Sequence, residues 1–456
     1  MSTTRFEFPG APPAAVFQVA TPSLGDHSYV AVVGDLAVVI DPQRDIERFV
    51  EVAAAAEARI TAVFETHIHN DYVSGGAVLA ARHDGDYVLP AGSGASIGHL
   101  SLADGDEYPL GSWRLQAIHT PGHTPHHTSY ALVGTDGPAA VFTGGSMLVG
   151  AVGRSDLLGP ELTDTLLRDQ FRSVRRLASG LPDPTRVGPT HGAGSFCSAS
   201  EVAETTTTIG LERRRNPALL APDAETFARG QKDGYRLFPA YYAHMGPVNL
   251  AGAEPVPESP LPHLDPDGIA AAIEEGMPVV DLRPTEIWAA GHVPGSINVA
   301  FSDEVATYLG WIFPWNTPVV LLADDPAHVE AVRLQLARIG HDAVAGMVLP
   351  AVAAWSADGR PLTRTRVVRF ADLLAEQPAV RLDVRDPKEV EAEGAVAGAR
   401  NIHVSRLKET PLPPGDPIWV SCGAGYRAAI AAGLLEQQGR EAVVVLDEFE
   451  RYRVAV

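Results

Sequence analysis

Apolar positions in the first third of the chain fall into short continuous runs broken by turn residues. The runs Val30-Ala31-Val32-Val33 and Leu36-Ala37-Val38-Val39-Ile40, separated by Gly34-Asp35, predict a β-hairpin whose second strand stops at Asp41-Pro42. Over residues 46–58, Ile46, Phe49, Val50, Ala53 and Ala56 recur at helical spacing. That helix feeds a second apolar run, 60–64, so the order strand, helix, strand, polar loop predicts a layered sandwich of sheets and helices.

The polar loop is Glu65-Thr66-His67-Ile68-His69-Asn70-Asp71-Tyr72, just before the turn Ser74-Gly75-Gly76. Two imidazoles and a carboxylate within five positions at a strand end suit a metal site, although the same stretch alone also fits an exposed polar loop. Two later loops repeat the theme. Pro121-Gly122 presents His123 at a turn after the strand-like run 113–118, and Thr190-His191-Gly192 follows a short apolar strand. Three such strand ends favour the metal reading, because metal sites are assembled from distant loops.

Composition narrows the field. At 456 residues the chain exceeds one ordinary core, and 45% apolar against 20% charged residues is a globular balance. A formal charge of −21 argues against nucleic acid and anionic membranes as partners. Cys197 and Cys422 are too few for a disulfide scaffold, which fits a reducing compartment. Residues 1–12 hold no basic stretch followed by an apolar core, and no apolar run reaches the roughly 20 residues that span a bilayer. A soluble cytoplasmic protein is expected.

With His67, His69, Asp71, His123 and His191 in place, residues 14–250 resemble the metallo-β-lactamase superfamily. Ile40-Asp41-Pro42-Gln43-Arg44-Asp45, Thr120-Pro121-Gly122-His123-Thr124 and Val152-Gly153-Arg154-Ser155-Asp156-Leu157 are most similar to its persulfide dioxygenase branch, a relative of glyoxalase II. The resemblance implies one divalent ion, Fe(II) first and Zn(II) as the alternative, on His67 and His123, with Tyr72, His191 and Ser146 around the ion or its substrate. Tyr72 stands where the superfamily's second-metal histidine belongs, which implies a mononuclear site. Gly145 stands where the family's ligand Asp belongs. Three outcomes follow: His69 completes a three-histidine site, Asp71 or a water held by Ser146 supplies the missing oxygen, or the domain binds no metal. Restoring the carboxylate with Gly145→Asp is expected to raise iron affinity and oxygen uptake together. Asp156 belongs to a separate family stretch and is not expected to substitute. The aromatic stretch 238–249 either lines a pocket or covers the core.

Four prolines in the stretch 255–262 predict an extended linker, 251–261. Beyond it lies a tandem repeat of about 100 residues. Val279-Val280-Asp281-Leu282-Arg283 with Gly291 to Asn298 in the first copy matches Leu382-Asp383-Val384-Arg385 with Gly394 to Ile402 in the second. Each reads as a strand, an acidic turn, a helix and a strand, an α/β unit. The copies, 262–356 and 364–456, resemble rhodanese domains.

In the second copy the run 418–421 enters Cys422-Gly423-Ala424-Gly425-Tyr426-Arg427 and then an Ala/Leu-rich helix. Backbone N–H groups, a helix N-terminus and Arg427 favour an anionic sulfur there. By resemblance, Cys422 accepts a sulfane sulfur as a persulfide and passes it on. In the first copy Ala323 replaces the nucleophile and Asp324-Asp325 would repel an anion, so that copy is expected to be inactive. Cys197, six residues after His191, is expected to be a buried structural residue.

The whole is expected to be a multidomain α/β and α+β protein: an αββα sandwich over 1–250, then two α/β rhodanese-like domains. The expected substrates are low-molecular-weight thiol persulfides or thiosulfate, oxidised or relayed, and a homo-oligomer is expected. The alternatives are a glyoxalase II-like thioester hydrolase and a metal-free domain that leaves sulfur transfer at Cys422 as the only chemistry.

Overall fold

The computed structural model describes residues 3–198 and 204–456; Met1 and Ser2, where the N-terminal stretch begins, lie outside them. The chain divides into two compact units, Met1–Val256 with Ala337–Gly340, and Pro257–Leu336 with His341–Val456.

In the first unit the predicted hairpin forms. Strand Asp26–Val33 pairs antiparallel with Leu36–Ile40, closing at Val33 opposite Leu36. Gly34 takes a positive φ of 61°, as a two-residue connection needs. Strand Arg59–Phe64 lies parallel to Leu36–Ile40, which demands a crossover, and helix Glu47–Ala55 supplies it. The helix is shorter than the apolar spacing predicts. Glu57 adopts a left-handed φ of 55° and turns the chain into the next strand, while Ala56 and Ala58 still pack on the same core.

Among the described residues of this unit, seven strands in chain order form one sheet and six form the other. Between the sheets, Val16, Tyr29, Ile40 and Phe64 meet Leu115, Tyr130 and Phe142. The outer face of the first sheet is covered by Glu47–Ala55 and Gly76–Arg82 through Phe49 and Leu79. The outer face of the second is covered by Pro160–Gly180 through Leu167, Val174 and Leu177. Central strands of this four-layer sandwich are buried on both faces, so their sequences are continuous apolar runs instead of alternating ones.

Between helix Tyr242–Ala251 and helix Pro266–Glu274 the described residues form no helix or strand, and the one β-bridge among them is at His263. The second unit holds two mostly parallel sheets. One is ordered Ile297–Asn298, Val279–Asp281, Val319–Leu322, Val344–Val348, and the other Arg366–Val368, Ala442–Val445, Ile418–Ser421, Arg381–Asp383, Arg400–Asn401. The repeat extends to individual hydrogen bonds. Arg283 donates to Asp281, and Asn298 donates to the carbonyls of Asp281 and Arg283; Arg385, Asp383 and Asn401 repeat the arrangement. These buried guanidinium–carboxylate forks are each two-pronged and backed by a backbone carbonyl, Gly291 in the first copy and Gly394 in the second, which favours a charged pair in a core. Among the described residues no helix is long and apolar enough to cross a membrane.

Candidate metal centre and sulfur-carrying loop

Four strand ends deliver the candidate residues of the first unit. His67, His69 and Asp71 follow Arg59–Phe64, and His123 sits in the turn between Trp113–His119 and Thr128–Gly134. Gly145 and Ser146 follow Gly137–Gly144, and His191 follows Arg186–Pro189. Pro121-Gly122 makes the turn beneath His123: Gly122 has φ 147°, and a Cβ there would stand 2.2 Å from Gln170 Oε1.

These side chains are brought together and are almost wholly buried. The rings of His67 and His123 are 4.8 Å apart, His123 and His191 5.1 Å, and His67 and His69 4.1 Å. Nitrogens of His67, His123 and His191 lie within 4.8 Å of one another, and ligand atoms of His69, Asp71 and His191 form a second such group. Hydrogen bonds fix which atom each ring offers. The Thr66 hydroxyl donates to Asp41 Oδ2, so His67 Nδ1 must donate to Thr66 Oγ1 at 2.9 Å, leaving a lone pair on Nε2. His123 Nδ1 donates to the Arg154 carbonyl at 2.6 Å, again leaving Nε2. His191 Nδ1 faces Asp26 at 3.0 Å and Asp71 at 3.2 Å. Among the described residues, His67 Nε2, His123 Nε2, His191 Nε2, His69 Nδ1 and Ser146 Oγ are all buried without a partner. Orphaned buried nitrogens are costly, and a divalent ion would satisfy several at once. The residues present therefore fit a metal.

The charges agree with that fit for His67 and His123, whereas His191 and His69 carry a proton that a bound ion would have to displace. Burial, reinforced by neighbouring imidazoles, holds His67 well below the usual histidine range and pushes His123 down to about 3, so both are in the neutral form that binds metal. Burial opposes the charge on His191, yet Asp71 and Asp26 push it up to about 10. In the same way Asp41 and Glu65 push His69 up to about 10 against its burial. His69 Nε2 is engaged by Glu65 at 3.1 Å, Asp41 at 3.3 Å and the Tyr72 hydroxyl at 3.0 Å. Tyr72 is thereby turned toward His69.

Position 145 is closed to a side chain. A Cβ on Gly145 would stand 2.3 Å from His123 Cδ2, 2.5 Å from Cγ and 2.9 Å from Nε2, so the imidazole lies against the bare backbone. Asp156 is paired with Arg154 at 2.7 and 2.8 Å. Three carboxylates were not singled out as part of the site from sequence: Asp26, Asp41 and Glu65. Asp41 had a signal, an Asp-Pro at a strand end, where it now takes φ 52° and binds Thr66 and Thr190. Asp26 had none, since it meets His191 only through the fold. Cys197 is fully buried, and burial pushes its thiol well up.

In the second unit, Cys422 directly follows Ile418–Ser421 and precedes helix Tyr426–Glu436. The Gly425 N–H donates to Cys422 Sγ at 3.0 Å. Gly425 has φ 100°, and a Cβ there would meet Leu446 Cδ1 at 2.3 Å, so the turn that aims this N–H requires glycine. Arg427 forms a fork with Glu389 at 2.7 and 2.9 Å. Gly423 lies beside that fork, where a Cβ would be 3.2 Å from Arg427 Nη2, and Ala424 completes the turn. The first copy buttresses the loop. The Tyr426 hydroxyl donates to the Ala300 carbonyl at 2.9 Å, and Gly433 lets helix Tyr426–Glu436 approach the backbone of Ile297, where a Cβ would come within 2.9 Å. Ala323 occupies the position equivalent to Cys422, and Asp324 Oδ1 accepts the Ala351 N–H.

Residues 24–191 match the metallo-β-lactamase superfamily, and 265–356 and 367–449 match the rhodanese-like domain. The chain is 30% identical over 179 residues to a hydroxyacylglutathione hydrolase of Parasynechococcus marenigrum, a match covering 38% of this chain and 68% of that protein. It is 28% identical over 185 residues to a mitochondrial persulfide dioxygenase of Homo sapiens, covering 40% of this chain and 66% of that one. The chain thus spans about two thirds of either relative. The crystal structure of a metallo-β-lactamase from Staphylococcus aureus superposes with a TM-score of 0.66 at 27% identity, covering 74% of this chain and 99% of that one.

Proposed function

Because the chain belongs to the metallo-β-lactamase superfamily and carries two rhodanese-like domains, we propose that it oxidises and transfers the sulfane sulfur of low-molecular-weight persulfides. The observation that carries this reading is the pairing, in one chain, of a converging imidazole set with a cysteine whose sulfur receives a backbone N–H. His67 and His123 would hold one divalent ion through Nε2, assisted by His69, Asp71 or both, with His191 sharing the same cluster of donors. When bound, such an ion activates oxygen or polarises the sulfur substrate. Asp26 and Asp71 orient the His191 ring, Thr66 that of His67 and the Arg154 carbonyl that of His123.

At Cys422 the thiolate attacks the outer sulfur of a persulfide. A new S–S bond forms on Cys422 as the old one breaks, and the carrier thiolate leaves. A second thiolate then takes the outer sulfur and regenerates Cys422. The Gly425 N–H steadies the negative sulfur through both steps.

A thioester hydrolase is the second reading, favoured by the two donor groups that share His191, room for a second ion. Oxygen uptake with a persulfide, against thioester turnover by the same metal-loaded protein, separates the two. Thioester turnover without oxygen uptake would overturn the first.

A further inference from the structure

Beside the metal-donor loop lies a cavity of about 300 Å³. Its lining alternates with the donors along the chain: Ile68 stands between His67 and His69, Asn70 between His69 and Asp71, and Thr124 directly after His123. The opposite wall is one face of helix Tyr242–Ala251, which presents Pro247 and Leu250, and Leu157 adds to it. Asn249 on the same helix fixes that wall to the donor loop. Its amide donates to the carbonyls of His69 and Tyr72 at 2.9 and 2.8 Å, and its oxygen accepts the Ser74 N–H. The cavity and the donors are thus held in register.

The lining is chemically one-sided. Among the described residues that line it there is no lysine, arginine, aspartate or glutamate. Its polar character includes Asn70 and Thr124, whose Nδ2 and Oγ1 are buried without a partner. A tripeptide thiol such as glutathione carries two carboxylates and an ammonium. Each would be desolvated at a cost against mostly apolar walls with no lysine, arginine or carboxylate to pair with, and His126, the one histidine of the lining, can answer at most one carboxylate. An uncharged thiol with an amide or carbonyl meets no such cost and offers the acceptor that Asn70 and Thr124 lack.

We propose that this cavity seats the carrier portion of the substrate and selects an uncharged, amide-bearing thiol over glutathione. The inference rests on the persulfide or thioester reading for its placement beside the reacting centre, but its selectivity can be measured without turnover. The metal-loaded full chain is titrated calorimetrically with S-methyl-N-acetylcysteamine and with S-methylglutathione, and kcat/KM is compared for the two corresponding persulfides. The uncharged analogue should bind at least tenfold more tightly. Leu158→Arg, at a rim position 36% exposed, should narrow or invert that ratio without disturbing the core. Gly246→Val, whose Cβ would come 3.1 Å from Asn70 Oδ1, should abolish binding of the uncharged analogue. Equal or tighter binding of S-methylglutathione, or no binding of the uncharged analogue, overturns the proposal whatever the enzyme turns over. Selective binding with no persulfide or thioester turnover supports the cavity's selectivity and instead removes the reaction reading.

Discussion

Replacing Gly145 with alanine adds one methyl group and no ligand. Its Cβ would sit 2.3, 2.5 and 2.9 Å from three atoms of the His123 ring. Carbon atoms in contact prefer about 3.5–4.0 Å, so the imidazole must retreat by about 1 Å. It is hemmed in behind by its hydrogen bond to the Arg154 carbonyl and by the backbone of Gly153. Overpacking of this kind costs about 1–3 kcal/mol. For a unit of this size that lowers Tm by roughly 2–12 °C. Metal ligand distances tolerate only about 0.2 Å, so displacement of Nε2 should lower metal content in parallel. Calorimetric unfolding and elemental analysis of anaerobically purified protein measure both. Gly145→Asp then isolates the carboxylate. The sequence leads one to expect a simple gain, but the structure adds the same steric cost, so Asp should bind metal better than Ala and less well than Gly. An alanine variant with unchanged Tm and unchanged metal content would refute the argument, and an Asp variant that binds metal more tightly than the parent would show that His123 yields freely.

Cys422→Ser should abolish persulfide- and thiosulfate-dependent sulfur transfer and leave metal per chain unchanged; transfer at the parental rate would remove Cys422 from the chemistry. Glu389→Gln removes the carboxylate that occupies Arg427, so the freed guanidinium should speed alkylation of Cys422 by iodoacetamide at pH 7, and an unchanged rate would mean that Arg427 does not reach the sulfur. Burial, opposed by Asp386, pushes His403 down to about 4. Between there and the ordinary value near 6.5 the folded state stays neutral while the unfolded chain takes up a proton. Stability of the second unit should therefore be fully present above about 6.5 and fall as the pH drops toward 4, by up to roughly 3 kcal/mol. Calorimetry should find this slope flattened in His403→Gln.

The sandwich was legible because its central strands are apolar on both faces and its crossovers obey helical spacing. The tandem repeat was legible because strand and turn residues recur in order. The donor histidines could be read because His67 and His69 crowd one strand end with Asp71, while His123 and His191 each sit beside a glycine at a later one. What stayed hidden depends on contacts between distant segments. Asp26 meets His191 across 165 positions, and no local pattern marks it. The sequence showed that Gly145 lacks a ligand, but only the fold shows that His123 fills the room a side chain would need. The same holds for Arg427, whose positive charge was evident but whose partner Glu389 lies 38 positions upstream.

The two rhodanese-like copies share an Asp-Arg-Asn framework with a buried Asp-Arg pair, and differ at the position where one has sulfur and the other a methyl group. The chain therefore contains its own blank. A perturbation that acts through the framework, such as temperature, denaturant or Asp→Asn at the paired positions 281 and 383, must register in both halves. One that acts through sulfur must register in the second half alone. Hydrogen exchange at the two matched strands of a single sample can then sort structural from chemical effects without a separate control protein.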